Sequence, residues 1–312
     1  MRPPPVHIMP QSTTRSDLLR RLLDRLTRAL PGLQHGDIRA LHRARVASRR
    51  LRELVPVLQL DHADSKKLSR RLRKVTTHLG AVRELDVLMV GIDELHESRP
   101  GQSSALARVG VAVSKERDQA RRRLFNQMPI DRITRLVHRL DGCVAELKLL
   151  ETSTSRAAAR NWKWSIDARV EKRAARLAAT VQDAGAVYIP ERLHAVRIAL
   201  KKLRYALELS HDVAGVRGDA DLRVLKRAQD LLGRMHDLQV LIERVRQVQA
   251  ALAPPNVTVW RELNAVMISL EDDCRRLHAR YMRMRGDLAA IAARLGGLHT
   301  GAGGSHRARR VG

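Results

Sequence analysis

The chain is poor in aromatic residues, cysteine and acid. Phe, Trp and Tyr together supply seven of its 312 residues. Strands favour aromatic and β-branched side chains, whereas the apolar share here is mostly Leu, Ala, Val and Ile, which suits helix-on-helix packing. The two cysteines, Cys143 and Cys274, stand far apart and outside any C-x-x-C pattern. That argues against a disulfide framework or thiolate metal site and fits a reducing compartment. Acidic residues number 33 against 59 Lys and Arg, a formal charge of +26. A folded chain this basic repels itself unless a polyanion neutralises it. No run approaches the roughly 18 apolar residues of a membrane span, so no membrane insertion is expected. The opening MRPPPVHIMP lacks the apolar core of a secretory signal, and the expected location is cytoplasmic. G-x-S-x-G, H-E-x-x-H and P-loop patterns are all missing. The sequence singles out no catalytic residue, cofactor or metal site, and the expectation is a protein that is not an enzyme.

What the chain has is a basic motif written twice. Leu41-His42-Arg43-Ala44-Arg45-Val46-Ala47-Ser48-Arg49-Arg50-Leu51-Arg52 returns as Leu193-His194-Ala195-Val196-Arg197-Ile198-Ala199-Leu200-Lys201-Lys202-Leu203-Arg204. On a helix, His42, Arg45, Arg49 and Arg52 fall within one arc of about 80°. Leu41, Ala44, Ser48, Leu51, Val55 and Leu58 form the neighbouring apolar stripe. The second copy sets His194, Arg197, Lys201 and Arg204 beside Leu193, Val196, Leu200, Leu203 and Leu207. Each helix thus has a face to bury and a comb of cations next to it. The expectation is that the combs bind a polyanion and work together. Six further cations crowd nine residues at Lys66, Lys67, Arg70, Arg71, Arg73 and Lys74, and Arg223, Lys226 and Arg227 complete the candidate set.

Capping and breaking residues predict helices over about 14–30, 37–60, 64–97, 103–127, 131–150, 156–184, 191–212, 219–252 and 257–295. Pro31-Gly32 should stop the first, Pro56 should kink the second, and Gly80 is a possible bend. Residues 1–14 read as a disordered lead and 298–312 as a flexible basic tail. The polar stretch Thr152 to Ser155 suggests a boundary between units at 15–150 and 151–297. A second pair of motifs supports that division. Leu79 to Leu88 matches Leu232 to Leu241 at an offset of 153, and the basic motifs are offset by 152. This reads as an internal duplication of a unit of about four helices, giving an all-α protein of two tandem bundles.

These residues resemble the CHAD family, the conserved histidine α-helical domain. The resemblance rests on H-x-x-R-V-x-x-R-R-L-R at His42 and H-x-x-R-I-x-x-K-K-L-R at His194. L-G-x-x-R-E-x-D-V at Leu79 and L-G-x-x-H-D-x-x-V at Leu232 add to it. It implies two four-helix bundles about a pseudo-two-fold axis, with a basic central surface that binds inorganic polyphosphate and an association with polyphosphate granules. Carried over by position, the ligand-facing residues are His42, Arg45, Arg49, Arg50 and Arg52, and His194, Arg197, Lys201, Lys202 and Arg204. The second half departs by having His236 in place of Arg83 and Gln239 in place of Asp86. The E-x-E-x-K strand of a fused triphosphate tunnel domain is not found, so the chain reads as a stand-alone module.

Polyphosphate has about one charge per internal phosphate and no bases, so it must be held by spaced cations and counterion release. Residues three or four apart on a helix stand about 5–6 Å apart, close enough to meet successive phosphates. Arg offers a planar fork, Lys a point charge, and His a donor that phosphate can render cationic. Glu84, Asp86 and Asp237 are expected to orient neighbouring guanidiniums. Nucleic acid is the competing partner, which the charge alone suits equally well. Against it, the combs carry no interleaved aromatic platforms for stacking bases. The residues by themselves support a polyanion; the choice of polyphosphate comes from the resemblance.

Overall fold

The computed structural model describes residues 13–153, 156–214, 220–252 and 256–297, with the backbone alone at 156–160. Among these residues the regular structure is helical throughout. The α-helices are α1 (Arg15–Thr27), α2 (Leu30–Gln34), α3 (Ile38–Leu54), α4 (His62–Ser98), α5 (Ser103–Gln127), α6 (Ile130–Ser153), α7 (Arg156–Ala184), α8 (Pro190–Ala214), α9 (Ala220–Ala250) and α10 (Val257–Gly296). The protein is all-α, as its composition implies. The expected disordered lead before Thr13 and the basic tail from residue 298 lie outside the described residues, as do Thr154 and Ser155 of the expected boundary.

Side-chain caps set several starts. Thr14 accepts from the Asp17 amide, Asp37 from those of Arg39 and Ala40, and Asn256 from that of Val259. Three local expectations are corrected. Asp61 caps α4, so that helix begins before the expected Asp64 or Ser65. Pro31 does not stop a helix but opens α2, where the first turn leaves the missing N–H unused. Pro56 does not kink α3; the helix ends at Leu54 and Pro56 enters a 3-10 turn. A proline ring one turn further into the helix would have met the carbonyl four residues back. α4 also runs unbroken past Gly80.

In the second half α7, α8, α9 and α10 pack in sequence, and α10 closes back on α7. In the first half α1, α3, α4 and α5 follow the same order, and α6 returns to α1. α3 therefore lies between α1 and α4, and α8 between α7 and α9. The buried residues form two cores, and neither is confined to one half of the chain. α4 contributes Leu68, Leu72, Val75, Leu79 and Val82 to one, then Leu85, Leu88, Ile92 and Leu95 to the other. α7 crosses as well, with Trp162 and Ile166 in the first core and Val170, Ala174 and Leu177 in the second. These shared helices make the bundles one packed body, and burial of the leucine and valine rows is its main source of stability.

Candidate functional site

The basic combs converge where α3 meets α8. Tyr205, 5 % exposed, lies beneath two guanidiniums. The Arg49 guanidinium carbon stands 4.2 Å from its ring centre and that of Arg204 4.6 Å, so one ring seats a cation from each helix. Glu208 follows one turn after Arg204 and accepts from it and, at 3.1 Å, from Arg50 Nη2. Gln229 of α9 accepts from Arg204 Nε at 2.8 Å. Arg50 and Arg204 are thus tied into the fold. Arg45 and Arg49 differ: the Nε atoms of both are buried without a hydrogen-bond partner among the described residues.

Crowding of like charge marks this as one cluster. Burial, then Arg197 on its own helix and Arg49, Arg45 and Arg52 across the interface, push the Lys201 ammonium down to about 7. Burial likewise lowers Arg49 to about 10, with Arg45 and Arg204 adding to the effect. Arg45 is lowered by burial and by Arg197 and Arg83, against Tyr205 and Glu84. Its side chain runs along bare α4 backbone, where Nε would stand 3.5 Å from a Cβ built at Gly80.

The two motif histidines have different surroundings. His42 is open to solvent on one side, and the partial burial of its ring, then Arg83, Arg45, Arg49 and Arg43, hold its imidazole below the usual range. His194 is half-buried against His236 of α9, with Nδ1 atoms 3.2 Å apart and ring centres 4.6 Å apart. Burial, His236 and Arg197 lower His194. The other face of His236 meets Glu84, with Nε2 3.5 Å from Oε1. That contact lowers the Glu84 carboxyl, and Arg197 and Arg45 assist. Glu84 is therefore an acid facing both combs. Asp237, raised by burial, also neighbours Arg197. Asp86 serves the fold instead: it is 3 % exposed and accepts from Arg121 Nη2 at 3.2 Å, which binds α4 to α5.

The remaining candidates divide. Arg52 and Lys202 lie at the far end of the cluster, beside Glu53 and Arg173. Lys66, Arg70, Arg71, Arg73 and Lys74 are exposed and Lys67 partly so, and none makes an ion pair or hydrogen bond among the described residues. Arg223, Lys226 and Arg227 are exposed on α9. The structure shows no tie between the α4 cations and the cluster. Sequence reasoning missed Tyr205, Glu208 and Gln229, and also Glu53, which accepts from Arg169 Nη2 at 2.6 Å and lies 3.7 Å from Arg173. The spacing of Arg204 and Glu208 was a readable i,i+4 pair. The others needed the interface.

Among the described residues no group of three or more His, Cys, Asp or Glu is placed to hold a metal ion, and no helix is long and apolar enough to cross a membrane. Fold and site together define a helical-bundle protein with a two-helix cationic centre. The CHAD domain family model matches residues 17–246, and the chain belongs to that family. It is similar to the crystal structure of the CHAD domain from the plant Ricinus communis, with 24 % identity, a TM-score of 0.61, and 92 % of this chain and 93 % of that chain covered. It is also similar to PptA from Streptomyces chartreusis, with 18 % identity, a TM-score of 0.60, and 88 % and 99 % covered. No curated protein sequence matches. At these identities the structural likenesses show the fold.

Proposed function

We propose that this CHAD protein is a non-enzymatic binder of inorganic polyphosphate, held by His42, Arg45 and Arg49 of α3 and His194, Arg197 and Lys201 of α8. The observation that carries this reading is the excess of cations where the helices meet. Arg45, Arg49, Arg197 and Lys201 crowd one another, and the acids facing both combs, Glu84 and Glu208, are fewer than the cations. Such a cluster costs free energy when empty and is relieved by a ligand bringing many negative charges. A linear phosphate chain does so without requiring apolar contacts or base readout, and association with polyphosphate granules in the cytoplasm would follow from that affinity.

Nucleic acid meets the same charge. Tyr205, the aromatic residue at the centre of the site, is buried beneath Arg49 and Arg204 and offers no face to a base. Titration with long-chain polyphosphate and with duplex DNA at one matched salt concentration separates the readings. The expected result is tighter binding of polyphosphate, and equal or weaker binding would overturn the preference.

A further inference from the structure

His42 belongs to the central cluster and also opens onto a second space. An open cleft of about 510 Å³ lies between the end of α1 and the middle of α3. Its polar lining is Arg25 of α1 and Arg28 at the C-cap of α1 with His42, Arg43 and Arg50 of α3, over a floor of Val46 and Ala47. No carboxylate lines it among the described residues. Asp37 draws on Arg43 at 3.5 Å, and Glu208 holds Arg50. The Arg28 Nε donates to the Asp24 carbonyl at 3.2 Å. Arg25 makes no ion pair or hydrogen bond among the described residues. Neither Arg25 nor Arg28 belongs to the repeated motif.

The cavity at His194 itself is far smaller. It measures about 30 Å³ and is lined by Tyr188, Pro190, Leu193, Leu232, Met235 and Gln239 besides the two histidines. That is room for about one water and contains no Lys or Arg. At His42 the cationic cluster thus adjoins an open cleft with further arginines, and at His194 a small cavity without cations.

We infer that the α1–α3 cleft is an additional anion subsite that takes phosphate groups of a linear polyphosphate running out of the central cluster past His42. The inference rests on the proposed polyphosphate reading and deepens it by giving the track a direction and a minimum length. A short phosphate fills the central cluster alone. A long chain reaches Arg25 and Arg28 as well and releases more counterions.

The test compares tripolyphosphate with long-chain polyphosphate on the wild type, on Arg25→Gln/Arg28→Gln, and on Arg280→Gln/Arg283→Gln as a charge-matched control on the exposed part of α10. Glutamine keeps α1 free of a new acid in its last turn, and circular dichroism checks the fold. The expected result is a loss of about tenfold for the long chain in Arg25→Gln/Arg28→Gln, with the slope of log affinity against log salt shallower by about 1.4 to 2. Tripolyphosphate binding should hardly change, and the control should stay near wild type with both ligands. If the long chain binds the wild type but Arg25→Gln/Arg28→Gln behaves like the control, the subsite is wrong and the central reading stands. Equal losses for both ligands would also overturn the subsite, because both would then be sensing general charge. If the wild type binds neither ligand, the polyphosphate reading itself fails and the subsite with it.

Discussion

At the residue after the last arginine of the motif, α3 has Glu53 and α8 has Tyr205, both 5 % exposed. Glu53 sits at the far end of the cluster and accepts from Arg169 of α7, with Arg173 close by. Tyr205 lies under Arg49 of α3 and Arg204 of α8. The two helices therefore carry one motif in different roles. α3 is anchored to α7 and extends Arg49 over its partner. α8 supplies the floor on which Arg49 rests, and its His194 packs against His236. The difference shows why two similar combs can make one site: each contributes cations, and only α8 contributes the seat.

The severest test of a joint site is to reverse one cation from each helix. Arg45→Glu and Arg197→Glu should each weaken polyphosphate binding by on the order of 10-fold or more, and the double variant should bind at most at the non-specific level. The double effect should differ from the product of the single ones, since the two arginines sense each other. Titration calorimetry at fixed salt, with circular dichroism as the fold control, reads this out. Small and independent effects would separate the combs into two unrelated surfaces.

The roles after the motif predict opposite responses of the fold. Removing the buried carboxylate by Glu53→Ala leaves Arg169 and Arg173 facing one another and should cost about 3 kcal/mol of stability. Tyr205→Phe keeps the ring and deletes a buried hydroxyl that has no hydrogen-bond partner, so it should change stability by less than about 1 kcal/mol and leave polyphosphate affinity near wild type. Urea unfolding measures both. A Glu53→Ala protein as stable as wild type would remove the anchoring role. A large loss of affinity in Tyr205→Phe would show that the hydroxyl, not the ring, matters.

The fold was legible because leucine periodicity and breakers act locally. Most helix limits follow from residues such as Asp37, Gly185 and Pro190, whose effects need only their neighbours. The errors at Pro31 and Pro56 have the same cause: a proline shows where a helix cannot pass, and not whether one ends before it or begins at it. The candidate site was legible as two combs, because cations three and four residues apart share a face wherever the helix is placed. How the combs are used was not. Arg50 looks like a free ligand in sequence, but it meets Glu208 of α8, which the periodicity of α3 cannot reveal. The cations of Lys66 to Lys74 form the densest run in the chain, and density alone misleads about position: they decorate the exposed side of α4 before it reaches Gly80 and Glu84. The two cores shared by α4 and α7 were equally invisible, since an apolar row does not say where along a helix its partner changes.

The smallest effect concerns protons, and it asks whether the interface between combs is as crowded as the contacts indicate. Lys201 is pushed down to about 7 by burial and then by Arg197 of α8 and by Arg49, Arg45 and Arg52 of α3. In the unliganded protein near neutral pH a substantial fraction of Lys201 is therefore uncharged. A bound phosphate chain replaces repulsion by attraction and raises this pKa, so the complex holds more protons than the free protein. Affinity must then rise as pH falls through about 7 to 8, by about tenfold for each unit that the ligand raises the lysine. His42 and His194, both held below the usual range, add uptake at lower pH. Calorimetry in two buffers of different ionisation enthalpy should show proton uptake near pH 7.5, and Lys201→Arg should remove most of it while keeping the charge. Stability of the free protein follows the opposite sense. Its folded lysine pKa lies below the ordinary 10.5, so the unfolded chain holds the extra proton and stability should rise with pH between about 7 and 10.5. Lys201→Met should flatten that rise. Identical binding enthalpies in the two buffers, together with an unchanged stability profile in Lys201→Met, would mean that α8 does not feel the arginines of α3 and that the combs stand apart.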